Sequence, residues 1–589
     1  MTQKQPQRPR RFHPQPKQWQ QPDKKQPPQP TKRANRPGVL RIIPLGGLEE
    51  VGRNSMVFEY GNDIIIIDLG LQFPEDDMPG IDYSIPNISY LKGKERNIRG
   101  IIVTHGHYDH IGGIPHLAPK LGNPPIYSSD LTLAMVQKKQ EDIDPKHKLR
   151  LIPVKTTTRL KLGAFQVEFM GLSHNIPASF GVILTTPLGT VVHTGDFKID
   201  RHGEAKNETE FQKIEALKRR GVLALLCDST NAPQVGEQLS ERDIQGDLEK
   251  TFTQADGRMI FATFASLLSR IQQIIQLAEK YDRKVLIEGY SMKTNVEIGQ
   301  RLGYLKINKG TLIKPQDMKR YPSRRLLILS TGAQGEERAV LMRIANREHK
   351  YLKIEKGDLV VFSSSVVPGN ERAVQRLKDG LYRAGAEVID SKMLDIHAGG
   401  HAKSEDLRWF IRTVRPKYFI PIEGNHSFLR MNGKYAVQEG VAEQNVFIAD
   451  NGQVIEFSKS GGRLTDERVN TDHVFVDGLG VGDVSHVILR DRQQLSDGGM
   501  VIVVAMVEGR TGRPIGQPEI ITRGFIFAQA NQRLMDDIRK VVKKALIDLE
   551  PKTQANETDL RNKVRKAVEK LIFQRIERQP MILPIIVEI

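Results

Sequence analysis

The sequence predicts an α/β protein of several domains, and three observations carry that prediction. At roughly 100–200 residues per domain, a chain this long implies about three or four of them. Short β-branched runs bounded by Gly, Pro, Asn and Asp alternate with helical stretches, the pattern of strands feeding helices. The densest group of potential metal ligands, His105-Gly106-His107-Tyr108-Asp109-His110, follows directly on the apolar run Ile101-Ile102-Val103-Thr104.

Taken in chain order, the elements begin with a tail. Residues 1–38 are rich in Pro and Gln and hold ten Lys/Arg against one Asp. Nearly free of aliphatic side chains, the tail buries too little apolar surface to offset its ordering entropy, so it is expected to be disordered. Its charge suits either a solubilising extension or a polyelectrolyte arm for nucleic acid. The stretch VLRIIPLGGLEEVGRNSMVFEYGNDIIIIDLG then reads as paired strands around turns, and the consecutive isoleucines Ile64 to Ile67 suit a strand buried on both faces. Further strands are expected at Gly100–Thr104, Gln166–Met170, Phe180–Thr185 and Thr190–His193, with a helical stretch from Pro115 to Leu121. Helices and strands alternate from about Glu241 to Asp395, which predicts a separate α/β layer. Ile396 to Glu456 returns to a His-bearing loop, a helix and strands, and the Gly-rich stretch Val476 to Asp483 reads as a linker. Beyond it come the strand Met500–Val507 and two amphipathic helices. Their packing faces are Leu534, Ile538, Val541 and Ala545 on one, and Leu560, Val564, Ala567 and Leu571 on the other.

Composition narrows the function classes. No apolar run approaches the ~18–20 residues that span a bilayer, and the amino terminus has no apolar signal-peptide core. The single cysteine, Cys227, excludes an intrachain disulfide framework. A cytoplasmic protein without membrane attachment is the expectation. Of the net charge of +17, the tail carries about +9; the mildly basic remainder favours a polyanionic partner.

Within HGHYDH, residues two apart in an extended loop share a side, so His105 and His107 can bind one ion while Asp109 and His110 turn toward a second. One loop cannot complete two coordination shells. His174 in GLSHNIP and Asp196 in VVHTGDF, each closing an apolar strand, are the candidates for the rest. A carboxylate at a strand end can bridge two ions through its two oxygens. Asp68, also at a strand end, is better placed to orient a histidine than to bind metal.

In this order and on strand ends, Asp68, HGHYDH, His174 and Asp196 resemble the metallo-β-lactamase superfamily. Asp228-Ser229-Thr230 and His401 in IHAGGHA resemble the further motifs of its β-CASP nucleases. With LGGLEEVGRN, LCDSTNA, FATFASLLSR, STGAQGE, PGNE and VDGLGVGD, the chain from residue 39 to its end resembles the ribonuclease J family. The resemblance implies an αββα sandwich of the metallo-β-lactamase kind with an inserted β-CASP α/β domain and a small C-terminal α+β domain. The boundaries would be 39–240 and 400–465 for the sandwich, 241–399 for the insertion, 466–485 for a linker and 486–589 for the C-terminal domain. It also implies two Zn2+ per subunit, with Mn2+ or Mg2+ as alternatives in activity. His105, His107 and His174 would hold the first ion, Asp109 and His110 the second, and Asp196 would bridge them. A hydroxide formed there would attack the phosphodiester in line. His401 would contact the scissile phosphate or assist the leaving oxygen, with Asp228 orienting it or a neighbouring ligand. Ser266 and His397 fall on a pocket for a 5′-monophosphate. The implied activity is 5′-to-3′ exonuclease and endonuclease action on single-stranded RNA, in rRNA processing and mRNA decay, by a homodimer or homotetramer.

The sequence departs from the family at three places. Glu423 stands where the family has a histidine ligand of the second ion, so Glu423, or His426 three residues on, is expected to complete that site. Gly399 stands where a phosphate-pocket serine is expected. Leu267-Leu268-Ser269-Arg270 replaces a segment that usually holds Asn and His. Glu423 and Gly399 motivate one alternative, a catalytically weakened RNA-binding subunit. A small-molecule hydrolase of the superfamily would explain the metal site but neither the insertion between the Asp228 and His401 motifs nor the basic tail. Cleavage of DNA stays open because the motifs contain no reader of the 2′-hydroxyl.

Overall fold

Ile64 to Ile67 lie on the strand Asp63–Ile67 and are buried on both faces. That strand sits inside an eight-stranded sheet whose order runs Gly461–Arg468, Gln453–Ser458, Leu40–Gly46, Ser55–Tyr60, Asp63–Ile67, Ile98–Ile102, Ile126–Ser128 and Leu151–Pro153. A six-stranded sheet faces it, ordered Tyr418–Ile422, Val222–Asp228, Gly189–His193, Phe180–Thr186, Phe165–Gly171 and Arg159–Leu162. This computed structural model describes residues 38–75, 77–201, 206–367, 369–394, 396, 398–509, 513–526, 531–547 and 557–589. The tail expectation for residues 1–38 therefore lies outside the described residues, Gly38 apart.

Period-two alternation explains the layering. Ile42, Phe58, Ile65 and Ile67 from the first sheet meet Phe169, Val182, Val191 and Leu226 from the second in one core. On the far face of the first sheet Ile43, Val57, Ile64 and Ile66 meet helix Asp130–Ile143 through Leu131 and Val136. On the far face of the second, Val192, Leu225 and Phe419 pack with Leu407, Phe410 and Ile411 of helix Ser404–Val414. The result is the expected αββα sandwich.

Between strands Val222–Asp228 and Tyr418–Ile422, which pair in parallel as neighbours, the chain leaves to build a five-stranded sheet. Its order is Lys284–Glu288, Leu326–Ser330, Met259–Ala262, Leu359–Phe362 and Glu387–Ile389, parallel throughout. Parallel strands are buried on both faces and read as continuous apolar runs, as LLILS and LVVF do. Helices Leu268–Lys280 and Glu371–Arg383 cover opposite faces.

Two stretches differ from the sequence expectation. The Gly-rich stretch expected as a linker forms a hairpin, Val474–Asp477 with Gly480–Val481, that pairs with Tyr83–Ile85. Phe475 and Val476 are buried there, and Gly478 takes the positive φ of 56° that the turn needs. At the C-terminus, helix His486–Gly498 precedes the expected strand, and a last strand, Met581–Glu588, runs parallel to Met500–Val507. The first amphipathic helix, Gln532–Ile547, buries Met535, Ile538, Val542 and Ala545, a face turned by one residue from the expected one at Leu534 and Val541. The second, Glu557–Ile576, buries Leu560, Val564, Val568 and Ile572.

Candidate metal centre

Each candidate ligand closes or follows a strand, so the two sheets deliver them to one edge of the sandwich. Asp68 follows Asp63–Ile67; HGHYDH follows Ile98–Ile102; His174 follows Phe165–Gly171; Asp196 follows Gly189–His193. Asp228 ends Val222–Asp228 and Glu423 follows Tyr418–Ile422.

The structure brings His105, His107, His174 and Asp196 together as one group of potential ligands, and Asp109, His110 and Asp196 as a second. In the first, His107 Nδ1 lies 3.0 Å from His105 Nε2 and 3.1 Å from His174 Nε2. Partners behind the rings fix their tautomers. Thr104 Oγ1 spends its hydrogen on Asp68 Oδ2 at 2.8 Å, so it accepts from His105 Nδ1 at 3.0 Å. His174 Nδ1 donates to Gly400 O at 2.7 Å. His105 Nε2 and His174 Nε2 therefore present lone pairs. Burial is the largest cause that holds all three imidazoles below the usual histidine range, far below for His105 and His174. Neutral rings converging lone-pair first form a cradle for a cation, and the donor set fits the implied metal.

In the second group, His110 Nδ1 donates to Asp68 Oδ2 at 2.8 Å, which leaves Nε2 facing Asp196 Oδ1 at 3.3 Å and Asp109 Oδ2 at 3.5 Å. Burial lowers His110, but the carboxylates of Asp196, Asp109 and Asp68 outweigh it and raise the ring well above its usual value. Asp196 thus turns one oxygen to each group: Oδ1 to His110, and Oδ2 to His105 at 3.5 Å and His174 at 3.6 Å.

Glu423, at φ 59° and buried, faces Asp196; burial first, then the Asp196 charge, raises it well above the carboxylate range. Its Oε2 is buried without a hydrogen-bond partner, so the site has an oxygen to spare for a second ion. His426 turns away, Nδ1 meeting Glu49 Oε1 at 2.7 Å on the surface. His401 Nδ1 meets Asp228 Oδ2 at 2.8 Å, and Asp228 with Asp196 pushes the ring up to about 9 against the lowering effect of burial.

The phosphate-pocket candidates are less gathered. His397 lies outside the described residues. Ser266 is half-buried ahead of helix Leu268–Lys280. A Cβ on Gly399 would meet Gln238 Nε2 at 2.4 Å, and that amide donates to His401 O at 2.9 Å. Arg270, fully buried, donates to Glu241 Oε2 at 2.9 Å and also to Ser363 Oγ and Ile396 O. It thereby ties the inserted sheet to the loop that leads to His401.

Sequence reasoning missed the residues behind the ligands. Asn54 Nδ2 reaches His110 Nε2 at 2.9 Å, and Thr104 links Asp68 with His105. Asn175, with its amide oriented so that Nδ2 donates to Ala398 O and Oδ1 accepts from Gly400 N, fixes the loop that His174 touches. Asn54 ends the motif LGGLEEVGRN and Thr104 directly precedes HGHYDH, so their places in sequence were the available signals.

Fold and paired ligand groups define a metallo-β-lactamase-type centre beside a β-CASP insertion. Family models agree: the metallo-beta-lactamase superfamily matches residues 48–209, the ribonuclease J beta-CASP domain 256–381 and the ribonuclease J C-terminal domain 487–589. Ribonuclease J 1 of Streptococcus pyogenes is 36% identical over 94% of this chain and 98% of its own. Ribonuclease J2 of Bacillus subtilis is 36% identical over 93% and 99%, and ribonuclease J of Corynebacterium glutamicum is 34% identical over 93% and 76%. A crystal structure of a protein of unknown function from Enterococcus faecalis shares the fold, with TM-score 0.51 and 16% identity over 71% of this chain and 100% of that one. The chain belongs to the ribonuclease J family, a family of metal-dependent ribonucleases.

Proposed function

We propose that this protein hydrolyses phosphodiesters of single-stranded RNA with two divalent ions, acting as a 5′-to-3′ exonuclease and an endonuclease in RNA maturation and decay in the cytoplasm. The observation that carries the reading is the division of Asp196, one carboxylate oxygen to each ligand group, with His401 Nε2 3.8 Å from the same carboxylate. His105, His107, His174 and Asp196 would hold one ion, a donor set suited to Zn2+. Asp109, His110, Asp196 and Glu423 would hold the other, an oxygen-rich set that also suits Mn2+ or Mg2+. When bound, the ions supply Lewis acidity and lower the pKa of water.

The chain's own residues do the rest. Asp68 fixes the ring of His110, and Thr104 and Gly400 fix those of His105 and His174, so the rings need no reorientation during reaction. Asp228 faces His401 Nδ1 and favours the charged ring, which suits it to meet a phosphate oxygen and to release a proton to the departing 3′-oxygen. Ser266, His397 and the Gly399 backbone, with Gln238 alongside, would receive a 5′-monophosphate. The C-terminal domain would join two or four copies.

A second reading, an RNA-binding subunit with weakened catalysis, is favoured by Glu423 and Gly399 standing in place of His and Ser. The test uses internally and 5′-labelled RNAs bearing monophosphate, triphosphate or hydroxyl ends, with Zn2+ or Mn2+ added. An Asp109→Ala/His110→Ala variant controls for contamination. Release of labelled mononucleotide from the monophosphate RNA supports the exonuclease, and internal cuts indifferent to the end support an endonuclease alone. Cleavage no greater than the variant's under any metal transfers the function to the second reading.

A further inference from the structure

Tyr108 stands in sequence between His107 and Asp109, yet its ring leaves the cluster and is 42% exposed. Lys139 Nζ lies 4.8 Å from the centroid of that ring. The preceding residue on the same helix, Lys138, places Nζ 5.3 Å from the ring of Tyr290, which is 64% exposed, and pairs with Asp142 Oδ1 at 2.8 Å. Tyr290 opens helix Tyr290–Arg301 of the inserted domain, and its hydroxyl donates to Asp142 Oδ1 at 2.7 Å. Helix Asp130–Ile143 therefore sets two lysines against two exposed aromatic rings, one ring from each domain, beside the metal ligands.

A ring with a cation against it and solvent elsewhere suits a planar ligand that carries negative charge nearby. Nucleic-acid strands have this chemistry: bases stack on any aromatic face, and phosphates follow the cations. We propose that Tyr108 and Tyr290 are stacking platforms for nucleobases of the RNA strand, with Lys139 meeting an adjoining phosphate. The inference rests on the ribonuclease reading above. Because Tyr108 stands between two candidate ligands in sequence, the strand it takes runs past the metal centre, and stacking makes that choice tolerant of sequence.

The competing account makes Tyr290 a strut between domains through its hydroxyl. Tyr→Phe removes the strut and keeps the platform, whereas Tyr→Ala removes both. The experiment scans a fluorescent single-stranded RNA with one abasic position at a time and measures anisotropy with the full-length protein in chelator, which keeps the strand intact. One or two abasic positions are expected to weaken wild-type binding about tenfold. Tyr108→Ala and Tyr290→Ala should bind intact RNA that much more weakly and be indifferent to the same positions, with Tyr108→Phe and Tyr290→Phe like wild type. With metal restored, Tyr108→Ala should raise KM by more than it lowers kcat, with Tyr108→Phe like wild type in both. Melting curves confirm that the variants fold, and the wild-type abasic scan stands even if an alanine variant does not. Equal abasic losses in wild type and alanine variants, no abasic effect, or phenylalanine variants as weak as alanine ones would overturn the proposal. Wild-type protein that cleaves RNA but shows no abasic effect sinks the platforms alone; RNA neither bound nor cleaved sinks the ribonuclease reading with them.

Discussion

His401 gives one ring nitrogen to Asp228, Nδ1 to Oδ2 at 2.8 Å, and turns the other toward Asp196, with Nε2 3.8 Å from Oδ2. The two carboxylates overcome burial and hold the ring at about 9. Asp228→Asn keeps the shape and one acceptor oxygen but removes the charge. It should lower kcat/KM about 10–100-fold, the usual cost of losing a supporting partner. A raised folded pKa keeps the imidazolium charged until pH passes that value. The variant's alkaline limb should therefore move to lower pH while bound metal stays constant. A pH–rate profile with an unmoved limb would show that the charge on His401 is not used.

Glu423 offers a buried oxygen without a partner next to Asp196, and its fate decides the second ion. Glu423→Ala should leave the first ion in place and lose the second on dialysis, read by elemental analysis. Glu423→His should keep both ions and raise the ratio of zinc to manganese, since imidazole is a softer donor than carboxylate. Two ions retained in the alanine variant would remove Glu423 from the ligand set.

Acid should unfold the metal-free protein through buried neutral histidines. His193 accepts from Gly195 N at 3.0 Å, and burial, helped by His110 and opposed by Asp196, pushes it down to about 3. His116 is lowered in the same way to about 4. A depressed histidine means that the unfolded chain takes the proton first. The stability it contributes is full above the unfolded value of 6.5 and is lost as pH falls toward the folded one. For His193 alone the loss is at most about 5 kcal/mol, from ~1.36 kcal/mol per pKa unit. The melting temperature in chelator should fall steadily below pH 6.5, and a flat profile down to pH ~4 would contradict this.

What could be read from sequence followed from period and punctuation. Ile64 to Ile67 announced a strand buried on both faces, and HGHYDH after a β-run announced a His-rich loop at a strand end, because both signals are local. The hairpin around Phe475 was hidden because its glycines read as linker, while its pairing partner, Tyr83–Ile85, lies far back in the chain. The turned face of helix Gln532–Ile547 shows the same limit: alternative apolar stripes sit one residue apart, and tertiary packing selected Met535 and Val542. The supports behind the ligands, Asn54, Thr104 and the Gly400 carbonyl, are ordinary polar groups whose role comes only from long-range proximity.

The C-terminal sheet, ordered Pro514–Arg523, Met500–Val507 and Met581–Glu588, packs one face on its two helices through Val501, Val503, Ile582 and Ile586. Alternation turns Met506, Leu583, Ile585 and Val587 to the other face, and with Ile515, the register partner of Met506, all are exposed. A contiguous aliphatic patch on a sheet marks an association surface. A second copy of the same sheet offers matching chemistry under two-fold symmetry. Ile585→Lys, at the middle of that face, should weaken self-association at least about tenfold, since an unpaired charge would be buried in the contact. Light scattering across a dilution series is expected to show wild type as a dimer or tetramer and the variant dissociating at higher concentration. The candidate metal centre lies in another domain, so the variant should bind as much metal per chain as wild type does. A monomeric wild type, or a variant that associates equally well, would assign this face to some other role.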